Sequence, residues 1–429
     1  MSDRADEGVP RRDFNKAALG ASAMALGGAA YAGGSATLKA AWIGTGSRGG
    51  MDVQRFLKGC EGVKLVAMAD VLRDKLNSAR KKLENNGDIN DKVDVGDDDC
   101  YVGFDAYKKV MARDDVDIVI HTTPPGFRPM HVMAAVEAGK HVFCEKPGAT
   151  DPVGIRTMMA ADKKARQKSL SIIVGTQQRR MPHYLELIKR VKDGAIGNIV
   201  AADVAWHWGN AKWHFHERKP EWSDMEWQIR CWPYFTWLSG DHVVEQHLHN
   251  VDVVNWVLGT PKNCHARGGR IARTGEKFGN IYDHFSGVFD YGGEVKAYSG
   301  ASQIAGGTGT VRERIMGTKG ALWINRGGGR ITGENAYEYD GPHRDGTTKQ
   351  FQDLCSAIRN DEPVVEAARL AESTAIAMTE RMAAYTGQQL SYDWVVNSSK
   401  EELVWPESKH RWGDLPVRDV RIPGETKLV

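Results

Sequence analysis

The chain has 429 residues, 41% of them apolar and 26% charged, and its 57 basic and 55 acidic side chains leave a net charge of +2. That balance gives no electrostatic case for nucleic acid or a membrane surface as a partner, and the length suits two domains with real cores. Six scattered cysteines without a CxxC pair offer neither a zinc site nor a disulfide framework by spacing, and read as buried thiols.

Residues 1–36 read as an address rather than as fold. PRRDFNK at Pro10 to Lys16 precedes a small-residue apolar run, Ala17 to Ala30, and a cleavage-like Ala30-Tyr31-Ala32. This is the pattern of a twin-arginine export signal, which predicts an exported, periplasmic or extracytoplasmic protein, although Asn15 stands where such signals prefer an apolar residue.

The next stretch carries a nucleotide fingerprint. Leu38 to Ile43 predicts a buried strand and Ser47 to Leu57 a helix, with Gly44, Gly46 and Gly49 in GxGxxG spacing between and within them. The helix N-terminus would offer free N–H groups to a pyrophosphate, with Ser47 and Arg48 in its first turn. A second strand, Val63 to Ala69, ends at Asp70, placed to hydrogen-bond an adenosine ribose diol and so to favour NAD over NADP. Arg73, just beyond, is the residue that could accept a 2′-phosphate instead.

Asp88 to Asp99 holds six aspartates in twelve residues, but Lys92 and Val93 break the EF-hand pattern and a solvated loop is expected. Strand Val116 to Thr122 runs past Thr123 into Pro124-Pro125, helix Arg128 to Ala138 ends at Gly139, and strand His141 to Phe143 delivers Cys144-Glu145-Lys146-Pro147. Alternation of strand and helix predicts a doubly wound parallel sheet, whose ligands sit at strand carboxyl ends. Thr123, Pro124, Glu145 and Lys146 are therefore candidate cofactor contacts.

After the strand Ser171 to Gln177 the character changes. Ile199 to Trp208, Ile281 to Tyr291, Glu294 to Ser299 and Val311 to Met316 read as longer strands, with helices at Lys349 to Arg359 and Ala367 to Tyr385. The fold expected is α/β: a Rossmann domain over 37–175, then over 176–429 an α+β substrate-binding and oligomerisation domain with an open, mostly antiparallel sheet. Seven of the thirteen tryptophans, including Trp206, Trp208 and Trp213, fall between 206 and 237, a density that suits either sugar stacking or a buried core.

From Val243 to Leu258 an apolar helical stripe predicts one helix, stopped by Gly259 and Pro261. Glu245, His249 and Asp252 then stand at i, i+4 and i+7, which would stack carboxylate, imidazole and carboxylate. Such a partner raises an imidazole pKa and prepares it as a base, although the spacing equally suits a helical salt bridge. His242, His247 and His249 are spaced so that they cannot easily share an ion, and no metal is expected.

GTGSRG, CEKP and HxxDxxxWxxG from His249 to Gly259, in that order, resemble the glucose-fructose oxidoreductase, inositol dehydrogenase and rhizopine-catabolism family (Gfo/Idh/MocA), as do VGTQQR at Val174 to Arg179 and GAIGNI at Gly194 to Ile199. The resemblance implies that Lys146 contacts the reacting hydroxyl and that His249 is the acid/base. Glu245 stands where the family usually has aspartate, and would be its catalytic partner. Arg179, Trp208 and Asp252 are the candidate substrate contacts. The family also implies a sugar, polyol or glycoside as substrate and a homodimer or homotetramer. Three readings follow: an NAD-dependent dehydrogenase, a glycoside-cleaving enzyme that oxidises its substrate transiently, or a silent sugar-binding protein.

Overall fold

A computed structural model describes residues 37–209 and 214–429. The twin-arginine-like segment and Trp213 lie outside the described residues.

The first sheet contains β1 (Leu38–Ile43), β2 (Val63–Asp70), β3 (Cys100–Val102), β4 (Ile118–His121), β5 (His141–Cys144) and β6 (Ile172–Val174). All pairs are parallel, in the order β3-β2-β1-β4-β5-β6. That order reverses between β1 and β4, the switch point at which such sheets open a ligand crevice. Strands buried on both faces read as apolar runs, as in the LKAAWI of β1. Helices α1 (Ser47–Gly59), α2 (Arg73–Glu84), α3 (Ala106–Met111), α4 (Arg128–Glu137) and α5 (Pro152–Gln167) connect or flank them.

Helix α6 (Pro182–Lys192) leads into the second sheet: β7 (Ile199–His207), β8 (Asn263–Gly269), β9 (His284–Gly292), β10 (Val295–Ser302), β11 (Thr310–Gly317), β12 (Gly320–Asn325), β13 (Gly328–Gly333), β14 (Tyr337–Glu338) and β15 (Leu390–Ser391). Its order is β14-β13-β12-β11-β7-β10-β9-β8-β15, antiparallel except where β7 meets β10. Between β7 and β8 lie α7 (Asp224–Arg230), α8 (Thr236–Ser239), α9 (His242–Glu245) and α10 (Leu248–Leu258); α11 (Gly346–Arg359) and α12 (Ala367–Thr386) follow β14. On β10, Ala297, Ser299 and Ala301 are buried while Tyr298 between them is 51% exposed, so helices cover one face only.

Helix α11 returns to the first sheet. Its Phe351 packs on Phe56 of α1 and Phe143 of β5, with ring centroids 5.5 and 4.3 Å apart. Helix α12 lies against α5, α10 and β8, and seventeen of its residues are buried. The two domains therefore share packed helices. All six cysteines are free and five are buried. No helix among the described residues is long and apolar enough to cross a membrane.

Candidate active site between the two sheets

A cavity of about 930 Å³ opens at the β1/β4 switch point and runs under the second domain. Gly44 turns the chain there with φ of +88°, and a Cβ on it would lie 2.6 Å from the Thr123 backbone nitrogen. A Cβ on Gly49 would lie 2.2 Å from Thr122 Oγ1, so glycine is what lets α1 approach the strand end. Gly46 has open space above it, and α1 begins with neither a side-chain cap nor an acidic residue in its first turn. An uncapped helix N-terminus beside open backbone fits a dinucleotide pyrophosphate.

Asp70 lines the same cavity. Its Oδ2 accepts from Thr45 N (2.6 Å) and Thr45 Oγ1 (2.9 Å), and its Oδ1 accepts from Leu72 N (2.8 Å). Burial pushes its carboxyl up, against the pull of those three donors. Ser47, Arg48, Thr123 and Pro124 line the cavity as well. Arg73 is exposed and outside the lining; the cations on that stretch of wall are Lys75 and Lys82.

Glu145 is held by Arg48, whose Nε and Nη2 both donate to Oε1 at 2.8 Å, and it accepts from Lys146 N at 3.0 Å. Burial would lift its carboxyl, but the charges of Arg48, Lys146 and Arg128 outweigh it and hold the group below the ordinary glutamate value. Lys146 Nζ reaches across to the second domain, donating to Glu245 Oε1 (2.7 Å) and to the Glu245 carbonyl (2.5 Å).

That contact overturns the continuous helix expected over 243–258. In an unbroken helix the Glu245 carbonyl would accept from the His249 N–H. Lys146 takes that carbonyl, His249 N turns to Gln246 O (3.3 Å), and the chain divides into α9 and α10. Glu245 is therefore the partner of Lys146 and not of His249. The expected upward shift of His249 is reversed too: burial, then the charges of Arg326, Lys146 and Arg48, hold its imidazole well below the ordinary histidine value. His249 lines the cavity, with its ring 5.7 Å from that of Trp206 at 25°, and its Nδ1 has no hydrogen-bond partner.

Asp252 does not stack with His249 either. It accepts from Arg179 Nε and Nη2 (both 2.9 Å) and from Ser373 Oγ (2.7 Å), which ties α10 to α12. Burial would raise its carboxyl, but Arg179 and Arg369 keep it below the usual range. Neither Arg179 nor Asp252 is in the cavity wall, whereas Trp208 is. Among the described residues no group of three His, Cys, Asp or Glu side chains is arranged to hold a metal.

Sequence reasoning missed Arg326, in the turn between β12 and β13, and Gln246, which donates to Glu245 Oε2 at 2.6 Å. Nothing in the local pattern INRGGG marks that arginine as reaching a cavity. It also missed that His214, Phe215 and His216 stand on the cavity wall with Lys75 of α2, and that Arg230 reaches Asp74 of that helix.

Comparison with known proteins agrees with this geometry. Residues 38–175 match the oxidoreductase family with an NAD-binding Rossmann fold, and residues 184–323 match the GFO/IDH/MocA C-terminal domain. The chain belongs to the Gfo/Idh/MocA family of NAD-binding oxidoreductases. It is 24% identical over 216 residues to an inositol 2-dehydrogenase/D-chiro-inositol 3-dehydrogenase of Lactiplantibacillus plantarum, covering 50% of this chain and 51% of that protein. It is 27% identical over 249 residues to the 2,7-anhydro-N-acetylneuraminate hydratase of Mediterraneibacter gnavus, covering 58% and 56%. The match thus spans about half the length of these curated relatives. The crystal structure of aldose-aldose oxidoreductase from Caulobacter crescentus complexed with glycerol shares the fold, with a TM-score of 0.64 at 20% identity over 83% of this chain and 99% of that one.

Proposed function

We propose that this protein oxidises a secondary hydroxyl of a sugar, polyol or glycoside with NAD as its cofactor. The observation that carries the reading is that Lys146 and His249, from different domains, line one cavity continuous with the Gly44–Gly49 turn and Asp70. NAD, when bound, supplies the hydride-accepting chemistry of its nicotinamide. The His249 imidazole, kept neutral by burial and neighbouring cations, takes the proton of the substrate hydroxyl. The Lys146 ammonium stabilises the oxygen as negative charge develops on it, and Glu245 fixes that ammonium in place. Asp70 supports NAD over NADP, because a carboxylate at the end of β2, on the cavity wall, opposes a 2′-phosphate.

The test is to incubate the purified chain with NAD and a panel of sugars, polyols and glycosides while following NADH absorbance. Formation of NADH with one class, lost in Lys146→Ala and His249→Ala variants that still bind NAD, supports the reading. Wild-type turnover in both variants overturns it.

A second reading keeps the same residues but uses oxidation transiently, to acidify a neighbouring C–H and expel a glycosidic leaving group. The Arg230–Asp74 pair, which ties α7 to α2 beside the cavity wall formed by His214, Phe215 and His216, favours it, since a cofactor held in place suits internal recycling. The similarity to a hydratase supports it as well. Products without net NADH, and NAD released in near-stoichiometric yield on denaturation, would distinguish it. The motif at Pro10 to Lys16 supports export through the twin-arginine pathway. The uncovered face of the second sheet supports a homodimer or homotetramer.

A further inference from the structure

Each cation at the Lys146–His249 end of the cavity has its partner, with one exception. Lys146 is paired with Glu245, Arg48 with Glu145, and Arg128 donates to the carbonyls of Pro147 and Thr123. Arg326 forms no ion pair among the described residues. Its guanidinium lies 5.3 Å from the ring of Trp206, the tryptophan that stacks with His249. The turn that carries it is pinned by neighbours: the Asn325 carbonyl is 3.0 Å from His183 Nε2, and Asn325 Oδ1 accepts from Gly327 N at 2.8 Å. Two carboxyl groups lie close enough to feel its charge. Glu145 is committed to Arg48. Glu313 is buried and committed to Tyr184 Oη and Asn250 Nδ2, from which it accepts, and burial pushes its carboxyl up to about 8.

An arginine in a concave site without a carboxylate partner presents a fork of donors that matches an oxyanion. The turn between β12 and β13 places it on the second-domain side of the cavity, where its charge acts on His249. We propose that Arg326 determines substrate specificity by binding an oxyanion on the sugar or polyol: a carboxylate, a sulfate ester or a phosphate ester. The inference rests on reading the cavity as the active site for hydroxyl oxidation. Arg326 takes the charge, and the reacting hydroxyl is left between Lys146 and His249.

The experiment is binding, so that it does not depend on turnover. The NAD-loaded full chain is titrated by calorimetry with glucose, galactose and myo-inositol, and with glucuronate, galacturonate and the sulfate and phosphate esters of glucose. The expected result is that at least one anionic compound binds about tenfold or more tightly than its neutral parent, with the three ester and acid arms reporting which oxyanion is read. Arg326→Gln removes that preference and leaves NAD affinity within about twofold, while Arg326→Lys, which keeps the charge without the fork, retains part of it. Absence of any anionic preference overturns the proposal, as does a preference that survives in Arg326→Gln. A large loss of NAD affinity in Arg326→Gln with the preference unchanged also overturns it, and assigns the arginine to the cofactor. Failure to form NADH with any compound, with the anionic preference intact, counts against hydroxyl oxidation and not against Arg326.

Discussion

The Lys146 ammonium donates both to the carboxylate of Glu245 and to its backbone carbonyl, at 2.7 and 2.5 Å, and so joins the carboxyl end of β5 to the break between α9 and α10. One lysine thereby ties the two domains together and shapes the chain that presents His249. Glu245→Gln keeps the shape but removes the charge. It is expected to lower kcat by about tenfold or more with little change in NAD affinity, and Glu245→Asp to restore part of the loss. Equal turnover in Glu245→Gln and the wild type would show that the pair is only structural.

Removal of Lys146 or His249 is expected to have a larger effect. Lys146→Ala and His249→Ala are each expected to cost about 10²- to 10⁴-fold in kcat, the range for a positioned acid or base, while the glycine turn still binds nucleotide. Steady-state kinetics beside fluorescence titration with NADH separates the two effects.

Gly44→Ala meets two obstacles at once, a φ of +88° and a Cβ 2.6 Å from the Thr123 nitrogen. Backbone cannot rotate aside as a side chain can. NAD binding is expected to fall by more than about tenfold and the melting temperature to drop, both readable in one thermal-shift series with and without NAD.

Arg230 donates to both oxygens of Asp74 at 3.0 and 3.1 Å, tying the Trp-rich segment to α2 on the flank of the cleft. An exposed ion pair is worth at most about 1 kcal/mol, so Arg230→Ala should speed NAD release by no more than about fivefold. Stopped-flow displacement of NADH measures it; an unchanged rate would mean that the latch does not hold the cofactor.

Stability should decline on the alkaline side. Burial raises Glu313 from 4.5 to about 8, so the folded state holds a proton that the unfolded chain releases. The stability linked to it is fully present below 4.5 and is lost progressively as pH rises through about 8. The buried histidines 121, 242, 247 and 249 act oppositely: burial lowers them, so the stability they contribute is present above 6.5 and is lost only on acidification. Between about pH 6.5 and 8.5 the wild type should therefore melt at progressively lower temperature, and Glu313→Gln should flatten the slope. Parallel slopes in the two proteins would refute the assignment.

The amino-acid sequence by itself determined the local and periodic features. An apolar run ending at Gly44-x-Gly-x-x-Gly49 and a following strand ending at Asp70 define a nucleotide turn through backbone requirements that act over a few residues. The alternation of strand and helix to Val174, and the change to longer strands beyond Ile199, define the two sheet types through periodicity alone. Lys146 was legible because a strand carboxyl end in such a sheet faces the ligand crevice.

Tertiary structure decided which charges meet. Spacing of four residues placed Glu245 beside His249, but Lys146, 99 residues earlier, takes both the carboxylate and the carbonyl that would have closed that helical turn. Asp252, three residues after His249, turns to Arg179 and Ser373 instead. Arg326 reaches the cavity only because β12 and β13 bring their turn over it, and α11 leaves its own sheet to cover Phe56 and Phe143. A short-range pattern specifies which side chains share a face. A buried ion pair is chosen by whichever opposite charge the packed domains bring closest, and that distance is set by contacts far apart in the chain.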